Sequence, residues 1–131
     1  MRFTEDNVNV ETLQNTIELL TGEVSELELL GKNDLPELEA LLSIEENYRG
    51  VHLRKAPDQE FLDDMIHDSR MLFVWRIFPK TEAGRGSQAG FVFWVNYAGP
   101  PFIYIVPTSP EFDLDIMREA AQQVLYFYLI I

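Results

Sequence analysis

Gly90 to Val106 reads GFVFWVNYAGPPFIYIV, and this stretch decides the architecture. It divides into an apolar run from Gly90 to Tyr97, a turn at Ala98-Gly99-Pro100-Pro101, and a second apolar run from Phe102 to Val106. Adjacent Gly and Pro mark a turn, because one supplies backbone freedom and the other a fixed φ without a donor. The flanking runs are rich in aromatic and β-branched residues, which suit a pleated surface, so two strands are expected. A strand with one wet face alternates apolar and polar residues. These two are apolar at nearly every position, so both faces of the sheet are expected to be covered.

Outward from this hairpin the pattern continues. Met71 to Phe78 (MLFVWRIF) is expected to be another strand, and Pro79 to Gln88, with Gly84 and Gly86, a loop. Asp113 to about Val124 reads as a helix. The tail Leu125 to Ile131 (LYFYLII) fits a continued helix or a strand, since periodicity does not separate the two in a short apolar run.

The first part of the chain has another character. Residues 1–70 hold 17 acidic and 6 basic residues but 3 aromatics; residues 71–131 hold 5 acidic, 4 basic and 13 aromatics. One part is charged and helix-like, the other apolar and strand-like, as expected for two faces of one α+β domain spanning residues 1–131. Val10 to Leu20 places Leu13, Ile17 and Leu20 at helical spacing, with Thr21-Gly22 as its stop. Ser25 to Leu30 reads as a short strand. Asp34 is the expected N-cap of a second helix, with Glu37 completing a capping box. Leu35, Leu38, Leu41 and Leu42 form its apolar stripe, and Asn47-Tyr48-Arg49-Gly50 its end. Pro57-Asp58 opens a third helix with Phe61, Leu62, Met65 and Ile66 on one face.

Composition excludes several functions. The chain has no Cys, which removes disulfide frameworks, thiolate metal sites and Cys nucleophiles. A net charge of −12 argues against a nucleic-acid phosphate binder and against an electrostatic anchor on anionic lipid. No apolar run reaches the ~20 residues that cross a bilayer. The N-terminal MRFTEDNVNVE lacks the basic and apolar regions of a secretory signal, so the cytoplasm is the expected compartment.

Candidate chemical residues are few. His52 and His67 are the two histidines, and Asp63, Asp64 and Asp68 lie near His67 in sequence. A zinc site needs three or four ligands at workable spacing, and no nucleophile motif accompanies either histidine, so neither metal nor a catalytic base is expected. Gly84-Arg85-Gly86-Ser87 lacks the Lys and the following helix of a phosphate loop and reads as a hairpin loop. Arg76, Lys80 and Arg85 could receive an anionic ligand or compensate acidic helices. The apolar tail needs cover, either from the core or from a subunit interface, and a homodimer or another protein partner through this C-terminal segment is expected.

The order strand, two helices, strand, hairpin, strand, helix resembles the first two thirds of a GNAT (Gcn5-related) N-acetyltransferase. Four pieces over about residues 25–131 carry the likeness. SELELLGKNDLPELEALL (25–42) is similar to the family's opening strand and D-L-P-x-L helix start. MLFVWR (71–76) with GFVFWV (90–95) resembles its second and third strands. FIYIVP (102–107) sits where its fourth strand lies, and Pro110-Glu111-Phe112 where P-E-Y or P-x-Y often precedes the cofactor loop. Residues 1–24 would then be an N-terminal helical addition.

The resemblance implies an acetyl-CoA site after the fourth strand, where R/Q-x-x-G-x-G/A opens a helix whose N–H groups cradle the pyrophosphate. Asp113, Leu114, Asp115, Ile116, Met117 and Arg118 stand at that position. Asp113 replaces the Arg or Gln, and Ile116 and Arg118 replace the glycines. The C-terminal strands and the helix that often supplies a Tyr general acid do not follow, and the fourth strand offers no Glu, so no catalytic residue is carried over. Three functions stay open: a divergent GNAT-like binding or assembly module without a cofactor; an acetyltransferase whose acetyl-CoA site is unconventional or completed by a partner; and a small acidic α+β adaptor or chaperone for a basic protein.

Overall fold

A computed structural model of the protein describes residues 19–110 and 112–130, with side chains between residues 22 and 127. The chain forms β1 (Leu19–Thr21), β2 (Ser25–Leu29), α1 (Leu35–Leu42), α2 (Glu45–Gly50), α3 (Gln59–Asp63), β3 (Leu72–Thr81), β4 (Gly84–Arg85), β5 (Gly90–Val95), β6 (Phe102–Pro107) and α4 (Leu114–Ile130). A 3₁₀ turn at Lys32–Asp34 precedes α1, and a π-helical turn at Asp64–Asp68 extends α3. The strands lie in the order β1-β2-β3-β5-β6, every neighbour antiparallel, and β4 pairs with the far end of β3.

Strand periodicity sends alternate residues to opposite faces, and each face has its own core. Leu72 and Val74 of β3 and Phe91, Phe93 and Val95 of β5 share a core with Leu38 and Leu42 of α1, Leu62 of α3 and Val51, which follows α2. Trp75 and Ile77, with Val92 and Trp94, meet Ile116, Ala120, Val124 and Phe127 of α4. The sheet is the middle of three layers, which is why Gly90 to Val95 is buried at every residue.

Several boundaries differ from the expected ones. Most of the helix expected over Val10–Leu20 lies outside the described residues, but Leu19 and Leu20 belong to β1 and not to a helix. Thr21-Gly22 leads into a hairpin, closed by Gly22 N–H donating to the Ser25 carbonyl at 2.9 Å. The ladder to β2, with Leu20 opposite Leu27, overrides the local helical spacing.

Asp34 stands at the N-cap position of α1 but makes no side-chain cap bond there, and Glu37 bonds to Arg76 instead of completing a capping box. The Asp34 carboxylate accepts from the Gly31 N–H at 2.8 Å across the preceding 3₁₀ turn. The second helix ends at Leu42 because Ser43 Oγ donates to the Ala40 carbonyl and Asn47 Nδ2 to that of Leu41. Residues Asn47 to Gly50 therefore belong to a separate helix, α2. Asp58 caps α3 as expected, accepting from Phe61 N–H at 2.8 Å. Its π-helical continuation changes the angular phase. Leu62, Met65 and Ile66 are buried, whereas Phe61 is exposed. The tail resolves as helix: α4 runs on to Ile130, so no strand follows β6 among the described residues.

Candidate functional site

The position that the family resemblance marks for a cofactor is the junction of β6 and α4. Pro107 ends the strand, and Phe112 N–H bonds to the Ser109 carbonyl in the turn that follows. Asp113 then begins the helix. Its backbone carbonyl accepts from Met117 N–H at 3.0 Å, and its side-chain Oδ1 accepts from Ile116 N–H at 2.9 Å. This is an N-cap: a short carboxylate satisfies one of the donors that a helix start leaves open. An external phosphate would need those same donors.

The rest of the segment has other uses. Ile116 is buried in the core beneath α4, where the resembled motif has glycine. Leu114 and Met117 are exposed, as are Asp115 and Arg118. Asp113 and Asp115 put two negative charges in the first turn, which favours the helix dipole and repels a second anion. A like-charge contact near 4 Å costs about 1 kcal/mol in water and about 4 kcal/mol at an effective dielectric of 20.

One turn further along, α4 carries a second polar cluster that sequence reasoning missed. The Glu119 carboxylate accepts the N–H groups of Glu23, Val24 and Ser25 and the Ser25 hydroxyl, at 2.8 to 3.0 Å. Gln123 Nε2 reaches Glu119 and Ser25 Oγ, both at 3.3 Å. Partial burial alone would push the Glu119 carboxyl up; the Ser25 hydroxyl and the three amides together hold it below its usual range. A Cβ on Gly22 would collide with the Glu119 carboxylate, so a side chain there would have to displace this acceptor. Successive N–H groups converging on an anion form a nest, and here α4 itself supplies the anion. Nothing local in the sequence joins residues 23–25 to Glu119.

Two of the three cations near the second hairpin, Arg76 and Arg85, pair with carboxylates. Arg76 bonds to Asp34 at 3.1 Å and also to Glu37. Arg85 bonds to Glu26 and Glu28, each at 2.7 Å, and its guanidinium lies over the Phe78 ring at 4.2 Å. Both bonds hold Arg85 above its usual pKa. Lys80 is exposed. Of the two roles open to these cations, compensation of acidic residues is the one that the geometry displays. Gly84-Arg85 is the short strand β4, so this segment is a hairpin with no helix behind it.

His67 and Asp63 pair along the α3 extension, Nδ1 to Oδ1 at 2.6 Å. Asp64 is turned to Ser69 Oγ at 3.1 Å. Among the described residues no three His, Asp or Glu side chains converge as metal ligands do. His52 sits elsewhere, at φ 61°, with its ring 4.5 Å from that of Phe102. Two phenols lie on the same side of the sheet. Tyr97 donates to the Val51 carbonyl, and burial pushes it up to about 12. Tyr104, the polar side chain of β6, lies 3.3 Å from both the Glu46 carbonyl and Asn47 Oδ1. Burial, then the Glu46 charge, raise it too.

Of the apolar tail, Phe127 is buried against Phe73 and Trp75, whereas Leu125 and Tyr126 are exposed. No helix among the described residues is long and apolar enough to cross a membrane. Comparison with protein-family models, with curated proteins and with solved structures finds no match to the chain.

Proposed function

We propose that this chain is a divergent GNAT-like domain that works as a binding or assembly module and not as an acetyl-CoA-dependent acyltransferase. The observation that carries this reading is the N-terminus of α4. Asp113 fills, with its own carboxylate, the place where a pyrophosphate would sit on the helix. The arrangement of β2, the helices α1 to α3, the antiparallel strands β3, β5 and β6, and α4 supports the GNAT-like part of the reading.

Two further features support the loss of cofactor chemistry. Ile116 packs into the core where an approach to phosphate wants glycine. Tyr104, the one phenol on β6, is engaged with α2. A homodimer, or another protein partner held through exposed residues near the C-terminus such as Leu125 and Tyr126, belongs to the same reading.

Calorimetric titration with acetyl-CoA and with CoA tests it. The expected result is no saturable heat up to millimolar cofactor. Micromolar binding of either would return the chain to the acyltransferases.

A further inference from the structure

β6 is the last strand of the sheet, and its outer side has no neighbour among the described residues. In an antiparallel ladder each residue points its N–H and C=O to one neighbour, and successive residues alternate. Asn96 N–H bonds to the Met71 carbonyl, so even-numbered residues of β5 face β3 and odd-numbered ones face β6. Phe91, Phe93 and Val95 stand opposite Val106, Tyr104 and Phe102. Thr108 N–H, bonded to the Ala89 carbonyl, keeps the same phase. Ile103 and Ile105 therefore aim their backbone groups outward. Pro107 has the same phase and no N–H to leave open, which is where an edge strand tolerates proline.

Edge strands that avoid association carry Lys, Pro, inward charges or bulges. This one has Pro107 at its very end and, from Phe102 to Val106, none of these. From Gly86 to Pro110 there is no Asp, Glu, Lys, Arg or His, in a protein of net charge −12. Phe102, Ile103, Tyr104 and Ile105 are all half-buried, each leaving apolar surface beside the open edge. Met117 of α4 is exposed on the flank turned away from the β1–β2 turn, which Glu119 and Gln123 face.

We infer that the outer edge of β6 pairs antiparallel with the same edge of a second copy, about a two-fold axis, so that two sheets become one. The hydrogen-bond direction demands an extended backbone as partner. Neutrality selects which one: a charged peptide finds no counter-charge on the strand, and two copies that each carry −12 meet with least repulsion along their uncharged strands. The contact is isologous, so it closes at a dimer. This inference rests on the assembly-module reading, names a second copy as the partner and places the contact on β6 instead of on Leu125 and Tyr126.

The test uses the full chain and two readouts: mass by light scattering across a dilution series, and amide hydrogen exchange. The expected result is a dimer at micromolar concentration in which the Ile103 and Ile105 amides exchange slowly, with that protection lost on dilution to monomer. Ile105→Pro removes an outward N–H without touching a bond to β5, and is expected to halve the mass. Should that variant fail to fold, exchange in the unaltered chain decides alone. A monomer at all concentrations overturns the inference. So does a dimer whose Ile103 and Ile105 amides exchange as fast as in the diluted chain. Cofactor binding, by contrast, would overturn the reading of α4 and leave the mass where it is.

Discussion

Glu119 and Ser25 stand 94 positions apart and meet twice, the carboxylate accepting from both the amide and the hydroxyl of Ser25 at 2.8 Å. With the amides of Glu23 and Val24, this fastens the β1–β2 turn to α4 and ties one edge of the sheet to the helix that covers it. The turn donates to an anion belonging to the chain itself.

Glu119→Ala leaves those donors without their acceptor. The expected loss is about 2 kcal/mol of stability, in the range of hydrogen bonds to a charged group, read from urea midpoints. The effect depends on pH. Because the folded carboxyl titrates below its unfolded value, its contribution is whole above about pH 4.3 and fades as pH falls through the folded pKa. The gap between variant and unaltered chain should therefore narrow in acid. A gap that stays constant below pH ~4 would mean that the carboxylate charge plays no part.

Gly50 closes α2 against Tyr104. A Cβ there would lie 2.3 Å from the phenol ring. Gly50→Ala is expected to destabilise by about 1–3 kcal/mol, as overpacking does. The same change in a Tyr104→Ala background should cost measurably less. Equal penalties in both backgrounds would show that the ring is not what excludes a side chain.

Phe127 has no exposed surface and packs edge-on to Phe73 and Trp75, both rings at 5.1 Å. Phe127→Ala should cost about 3–5 kcal/mol. Tyr126→Ala, one position away and 56% exposed, should change stability by about 0.5 kcal/mol or less in the isolated chain. Thermal unfolding of the pair decides whether the tail is core at alternate turns or surface throughout.

How much of this was legible in the sequence depended on whether the cause was local. The runs at 71–78, 90–97 and 102–106 declared three strands and two covered faces, since apolar residues at every position need cover on both sides. The leucines of α1 declared its buried stripe. Leu19 and Leu20 did not declare a strand, because their partner β2 determines it. Phe61 left the predicted face at the first turn of α3, where Leu62 takes the buried position. The tail's helix was not separable within Leu125 to Ile131, a continuous apolar run; Phe127 shows its phase only as the continuation of Ile116, Ala120 and Val124. The site was half legible. Asp113 was legible as an acid at a helix start, though its bond to the Ile116 N–H was not read from it, whereas the Glu119 nest and the Arg76 and Arg85 pairs join residues far apart in the chain.

The cap makes a separate prediction. Asp113→Ala should weaken α4 by about 1 kcal/mol, and Asp113→Asn, which retains an acceptor, by less. Equal losses would mean that the Oδ1 bond to Ile116 N–H contributes little.

The central claim is that the N-terminus of α4 is occupied by its own carboxylate and takes no pyrophosphate. Amide chemical shifts of Asp115, Ile116 and Met117 report on that position directly. The account predicts that they stay still while CoA is titrated to millimolar excess. Saturable shifts at those three amides at micromolar CoA would show a working cradle and contradict it.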